Sequence, residues 1–166
     1  MKKVSIILLL LIFSTKTYTQ DCIKIKKKVD EYEDITTFDY TGLRSISLTA
    51  TVRNGLLTYY LSLNTTGSTL LIGEKGVFII LDDGQKIIKT SEEIDCEFEP
   101  EHYYGSGDYE YSAFIRLNSQ ELDLLKNHSV KKFKLYIFEQ ELNQANQDEQ
   151  KELIKCLIQL TSNAKK

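Results

Sequence analysis

The chain has no tryptophan, one methionine and one proline among its 166 residues. It is equally poor in the residues that most often carry chemistry, with two histidines, three cysteines and no C-x-x-C pair. Each scarcity excludes something. Zinc sites draw Cys and His ligands from short, clustered spacings, and Cys22, Cys96 and Cys156 stand far apart, so no metal site is expected. There is no G-x-S-x-G elbow to present a serine nucleophile, and Gly73-x-x-Gly76 follows no phosphate-cradling pattern. With 21 basic against 24 acidic residues the chain lacks the cationic excess that drives nucleic-acid binding. Ten tyrosines and seven phenylalanines beside a single proline favour a sheet-rich domain over a disordered one.

What is present begins with MKKVSIILLLLIFSTKTYTQ, which has the order of a secretory leader. Lys2 and Lys3 open it, an apolar run from Val4 to Phe13 follows, and a polar stretch leads to Thr17 and Thr19. The apolar run is too short to cross a ~30 Å hydrocarbon core as a helix. Residues 1–19 are expected to be removed before Gln20, leaving 20–166 as one domain with no transmembrane segment, periplasmic or secreted. An alternative makes Cys22 a lipid-anchored first residue, although Asp21 is a poor residue to precede it. Cleavage removes Lys2, Lys3 and Lys16, so the mature chain has 18 basic and 24 acidic residues, a formal charge of −6. In an oxidising compartment the three cysteines read as one bridge plus one thiol. Cys156 falls on the apolar face of a helix, and Cys22 and Cys96 are its two candidate partners.

Two hairpins organise the middle. Ile46, Leu48, Ala50 and Val52 alternate with polar residues up to Asn54-Gly55, the pair that a type I′ turn favours, and Leu56–Asn64 returns. A two-residue loop pairs Val52 with Leu57, Ala50 with Tyr59, Leu48 with Leu61 and Ile46 with Leu63. The second hairpin is Val77–Leu81, a turn at Asp82-Asp83-Gly84-Gln85, then Lys86–Thr90. Phe78-Ile79-Ile80-Leu81 is apolar on both faces, as in a strand covered from both sides. Asn64–Ser68 reads as a loop, and the sequons at Asn64 and Asn127 read as chance.

Further strands are expected at Ile23/Ile25 on a lysine-rich edge, at Ile94/Cys96/Phe98, at Tyr109–Leu117 and at Phe133/Leu135/Ile137. Asn118 and Glu121 form a capping box opening a short helix that turns Leu122 and Leu125 inward. A last helix, about Asn146 to Ser162, aligns Leu153, Cys156, Leu157 and Leu160. The sum is a mainly β (α+β) fold: an antiparallel β-sandwich or rolled sheet of about 7–9 strands, one short internal helix and a C-terminal amphipathic helix.

The window Ser91–Tyr111 holds eight acidic residues and no lysine or arginine. Within it, Glu97, Glu99, Glu101, His102, Tyr103, Tyr104 and Asp108 form a candidate binding loop, since tyrosines supply rigid contact area and carboxylates attract a cationic patch. The competing reading is a solvated acidic strand and loop. The window lacks the D-x-[DN]-x-[DN]-G spacing of a calcium loop. His128, just past the short helix, fits a surface or C-cap role. Lys26-Lys27-Lys28 and Lys131-Lys132 read as solvated strand ends.

Three stretches resemble a loose class of small secreted bacterial β-rich proteins of uncharacterised function. They are Lys28-Val29-Asp30-Glu31-Tyr32-Glu33-Asp34-Ile35-Thr36-Thr37, the segment from Glu74 to Ile87 around Gly76-Val77-Phe78-Ile79-Ile80-Leu81, and the helix bearing Leu153-Ile154-Lys155-Cys156-Leu157. The resemblance implies an exported β-rich domain and carries over no catalytic residue, cofactor or partner. The expectation is therefore a non-enzymatic exported binding domain without a cofactor, recognising a protein rather than nucleic acid, a periplasmic immunity protein being one form of it. The alternatives are an envelope glycan hydrolase using a carboxylate pair and a structural part of a surface assembly.

Overall fold

Asn54 and Gly55 both take positive φ, 51° and 75°, and the hairpin they close forms the middle of the larger sheet. Its strands, β3 (Ile46–Arg53) and β4 (Leu56–Gly67), pair in the expected register, with Val52 opposite Leu57, Ala50 opposite Tyr59, Leu48 opposite Leu61 and Ile46 opposite Leu63. The computed structural model describes residues 21–40, 43–69, 76–95 and 109–163. Among these the larger sheet runs β1 (Ile25–Asp30), β2 (Ile35–Tyr40), β3, β4, β8 (Tyr109–Leu117), β7 (Ile94–Asp95). The smaller runs β10 (Phe138–Glu141), β9 (Val130–Leu135), β5 (Gly76–Leu81), β6 (Lys86–Thr90). All pairings are antiparallel, so the mainly β architecture with a C-terminal helix is as expected.

The inner faces of the two sheets meet in one core. Leu61, Leu63, Ile115 and Tyr111 from the larger sheet and Val77, Ile79, Leu81, Phe133 and Leu135 from the smaller are fully or almost fully buried. Helix α1 (Ser119–Asn127) is opened by the reciprocal cap of Asn118 and Glu121, each bond 2.9 Å, and buries Leu125. Helix α2 (Gln144–Asn163) lies against β2, β3 and β9, with Leu153, Ile154 and Leu157 buried. Leu160, expected to face inward, is exposed because Thr161 occupies that turn, buried and 2.6 Å from the Tyr59 hydroxyl.

Other local expectations are corrected. The stretch Asn64–Ser68 is not a loop, since β4 continues through Gly67 against Tyr109–Ser112 of β8. Gly67 is needed there for close approach: a Cβ would sit 2.1 Å from a ring atom of Phe138, itself packed on Tyr111. Gly67→Ala is therefore expected to destabilise the domain by about 1–3 kcal/mol, measurable by urea titration. Ile137 lies in a turn, not a strand. Tyr136, at φ 57°, starts that turn without a glycine, and its ring is buried against Tyr111. Ile23 lies in a 3-10 turn, Asp21–Lys24, and the edge strand begins at Ile25.

The open choice of cysteine partners is decided by that 3-10 turn. Cys22 is bridged to Cys156 of α2, Cα atoms 5.4 Å apart, and Cys96 is outside the described residues. Lys24 reinforces the tether at 2.5 Å from Glu149, which also accepts the Tyr40 hydroxyl at 3.0 Å. The Lys24 bond, followed by Tyr40, holds the Glu149 carboxyl below its ordinary range. Burial and then Glu149 push the Tyr40 phenol upward. The leader and its cleavage position are outside the described residues, and no described helix is long and apolar enough to cross a membrane.

Candidate functional site

The expected binding residues Glu97, Glu99, Glu101, His102, Tyr103, Tyr104 and Asp108 all lie outside the described residues. The ends of their window are placed: the backbone of Asp95 on β7 pairs in register with Phe114 of β8, and β8 begins at Tyr109. Part of the window's acidity is structural. Glu93 accepts from the Thr90 backbone N–H at 3.1 Å and the Thr90 hydroxyl at 3.2 Å, closing the strand end. The Thr90 N–H, opposed by slight burial and aided by Lys89, keeps the Glu93 carboxyl below its usual range.

A different surface emerges on the outer face of the smaller sheet. Phe78 stands opposite Ile88 on β6 and Lys134 on β9, while Ile80 stands opposite Lys86 and Lys132. The expectation that β5 is covered on both faces fails here: Phe78 is 45% exposed and Ile88 52% exposed. The inward side is covered by the larger sheet, and the outward side presents two rows across the strands. One reads Glu139, Lys134, Phe78, Ile88, and the other Glu141, Lys132, Ile80, Lys86. Lys132 is tied to Glu139 at 2.8 Å, and that bond raises its ammonium's pKa. The arrangement is an apolar centre with basic neighbours, suited to contact rather than bond-making chemistry.

The hairpin that carries this face is fixed at both ends. At its turn, Asp82 accepts from the Ser129 hydroxyl at 2.9 Å and the Ser129 N–H at 3.2 Å. His128 caps α1 through its backbone, as its position suggested, and places Nδ1 3.0 Å from Asp82 and Nε2 3.3 Å from Asp83. The Nδ1 contact is a hydrogen bond, and the Nε2 contact is an ion pair only when the imidazole is protonated. Asp82, Asp83 and His128 are the one group of three metal-type ligands among the described residues. The ring nitrogens engage different carboxylates, and those carboxylates already bind Ser129 and Gln85, so the group reads as a clamp on the turn. Burial pushes the Asp82 carboxyl up, but Ser129, then His128 and Lys151, outweigh it and leave it below the ordinary value. A lowered folded-state pKa stabilises above the unfolded value, near 3.9, and the gain is lost as pH falls through the folded one. Asp82→Asn should thus cost about 1 kcal/mol at pH 6, screening by solvent keeping it small, and less near pH 2. Urea titrations at the two pH values check this.

At the other end Lys89 turns inward and is almost fully buried, 2.7 Å from Glu121 and 3.5 Å from Glu93. No sequence signal links these groups, because Lys89 and Glu121 meet only once β6 and α1 are in place.

An open polar cleft of about 290 Å³ lies beside Arg44, Asn64, Thr66, Glu110 and Gln140. Among its described lining residues Glu110 is the single carboxylate. No protein-family description, curated protein or solved structure matches the chain.

Proposed function

We propose that the protein is an exported, non-enzymatic binding domain that recognises a protein partner through the outer face of its smaller sheet. The observation that carries this reading is the exposed Phe78–Ile88 pair, flanked by Lys86 and Lys134, on a sheet whose other face is fully covered. Leaving two large apolar side chains half in water forgoes about 1 kcal/mol for each, relative to burying it. Exposed apolar area with a charged margin is the usual mark of a protein contact. The leader motif and the Cys22–Cys156 bridge support export, since such bridges persist in oxidising compartments. A partner that the domain neutralises, as an immunity protein neutralises a toxin, is one form of this function.

Phe78→Ser combined with Ile88→Ser removes the apolar centre without touching the core. The double variant should melt within a few degrees of wild type and lose at least tenfold in capture of its partner from native envelope extract. Undiminished capture by a folded double variant would refute the reading.

A further inference from the structure

β6 is the outermost strand of the smaller sheet, and no described strand pairs with its outer rim. Which of its backbone groups face that rim follows from bonds elsewhere in the ladder. The Leu81 N–H donates to Gln85 at 2.9 Å, and the Tyr136 N–H donates to Gly76 at 2.9 Å. Antiparallel pairs alternate between bonded and non-bonded. Counting from either bond, Ile80/Lys86 and Phe78/Ile88 are non-bonded pairs across β5 and β6. The N–H and C=O groups of Lys86 and Ile88 therefore point outward, as does the Thr90 N–H that Glu93 accepts. The same two residues send their side chains to the outer face, beside Ile80 and Phe78.

Three other described edge strands are guarded. β1 carries Lys26, Lys27 and Lys28 along its rim, β7 is two residues long, and β10 is four residues long with Glu139 and Glu141 outward. Short strands and lysine-rich rims hinder strand addition. β6 has neither proline nor bulge, and the register shift at Ile80/Leu81 lies in the ladder between β5 and β9. An inward lysine often guards an edge by demanding water, but Lys89 is already neutralised by Glu121 and Glu93. The turn clamp and the Glu93 cap hold the rim in place before anything binds, which lowers the ordering cost of association.

We propose that the β6 rim accepts an extended segment of a protein partner as a fifth strand of the smaller sheet, with acidic side chains set against Lys86 and apolar ones against Ile88. This rests on the reading of the outer face as a protein-docking surface and names how the partner engages it. Charge complementarity selects the occupant: described residues give Lys86 and Lys134 no ion pair, and the acidic residues of the face sit at its far edge on β10. Backbone bonds supply the affinity, and alternate side chains supply the selection. Cross-strand pairs of opposite charge or of apolar residues add to it.

The probes are three labelled octapeptides: Thr-Glu-Thr-Val-Thr-Glu-Thr-Val, whose glutamates and valines alternate along one face two residues apart as Lys86 and Ile88 do, a version with its glutamates grouped together, and a version with lysine for every glutamate. The alternating acidic peptide should bind at least tenfold tighter than either other, and it should slow amide exchange at Lys86 and Ile88. Lys86→Glu should reverse the preference toward the lysine peptide while leaving the fold unchanged. Ile88→Pro removes only a rim-facing N–H and should abolish acidic-peptide binding. Equal binding of all three peptides, or unaltered exchange at β6, overturns the proposal. Self-association of the wild type that Ile88→Pro dissolves overturns it too, by making the occupant a second copy. Native-partner capture separates the two levels. Loss with Phe78→Ser/Ile88→Ser but not with Ile88→Pro overturns strand addition and leaves the docking face standing, whereas loss with neither overturns both.

Discussion

Reducing the Cys22–Cys156 bridge is expected to lower the thermal midpoint by about 10–15 °C. The bridge closes a loop across a sequence separation of 134 residues, from the first described turn to the middle of α2. In the chain-entropy account a closure of that length removes about 5 kcal/mol of conformational freedom from the unfolded state. The native state gives little of this back, because the two segments also meet through Lys24–Glu149 and Tyr40–Glu149. Cys156→Ser should reproduce the reduced midpoint, and adding reductant to that variant should change nothing further. Alkylation of the exported protein under non-reducing conditions should label one thiol, Cys96, and leave Cys22 and Cys156 joined. An unchanged midpoint after verified reduction would mean that the covalent tether is not what fastens the N-terminal segment to α2.

The second large effect lies under β6. Lys89→Met leaves Glu121 almost buried with its cation gone, and removing one partner of such a pair costs about 3–5 kcal/mol. Adding Glu121→Gln should recover most of the loss. Glutamine keeps the reciprocal cap with Asn118, and the uncompensated charge is removed. Urea titration of wild type, both single variants and the double variant gives the coupling directly. Simple additivity of the two single effects would contradict a pair that acts as a unit.

Much of the fold is legible in local chemistry. Asn54-Gly55 with alternating flanks determines the β3–β4 register to the residue, because a one-residue slip would turn every buried side chain outward. Asn118 and Glu121 mark the start of α1 in the same way. The features that escape are those set by distant partners. Gly67 reads as a loop residue until Phe138 is placed over it, and Tyr136 adopts positive φ in a turn that has no glycine or asparagine to announce it. Phe78-Ile79-Ile80-Leu81 shows apolar side chains on both faces of a strand. Nothing within the strand says whether the second face is covered by the same chain or left for another. The Asp82–His128 clamp joins residues 46 apart and has no local signature. The acidic, tyrosine-rich loop is the reverse case, conspicuous in sequence while its residues from Glu97 to Asp108 lie outside the described structure.

Site-specific photo-crosslinking tests the docking face most directly. Benzoylphenylalanine replaces Phe78 in one protein and Phe114 in another, Phe114 being an exposed aromatic on the opposite face, stacked on Tyr60. Illumination in the native envelope should give one discrete covalent adduct from position 78 and none from position 114. Adducts of equal yield from both positions, or none from position 78, would contradict a partner surface on the smaller sheet.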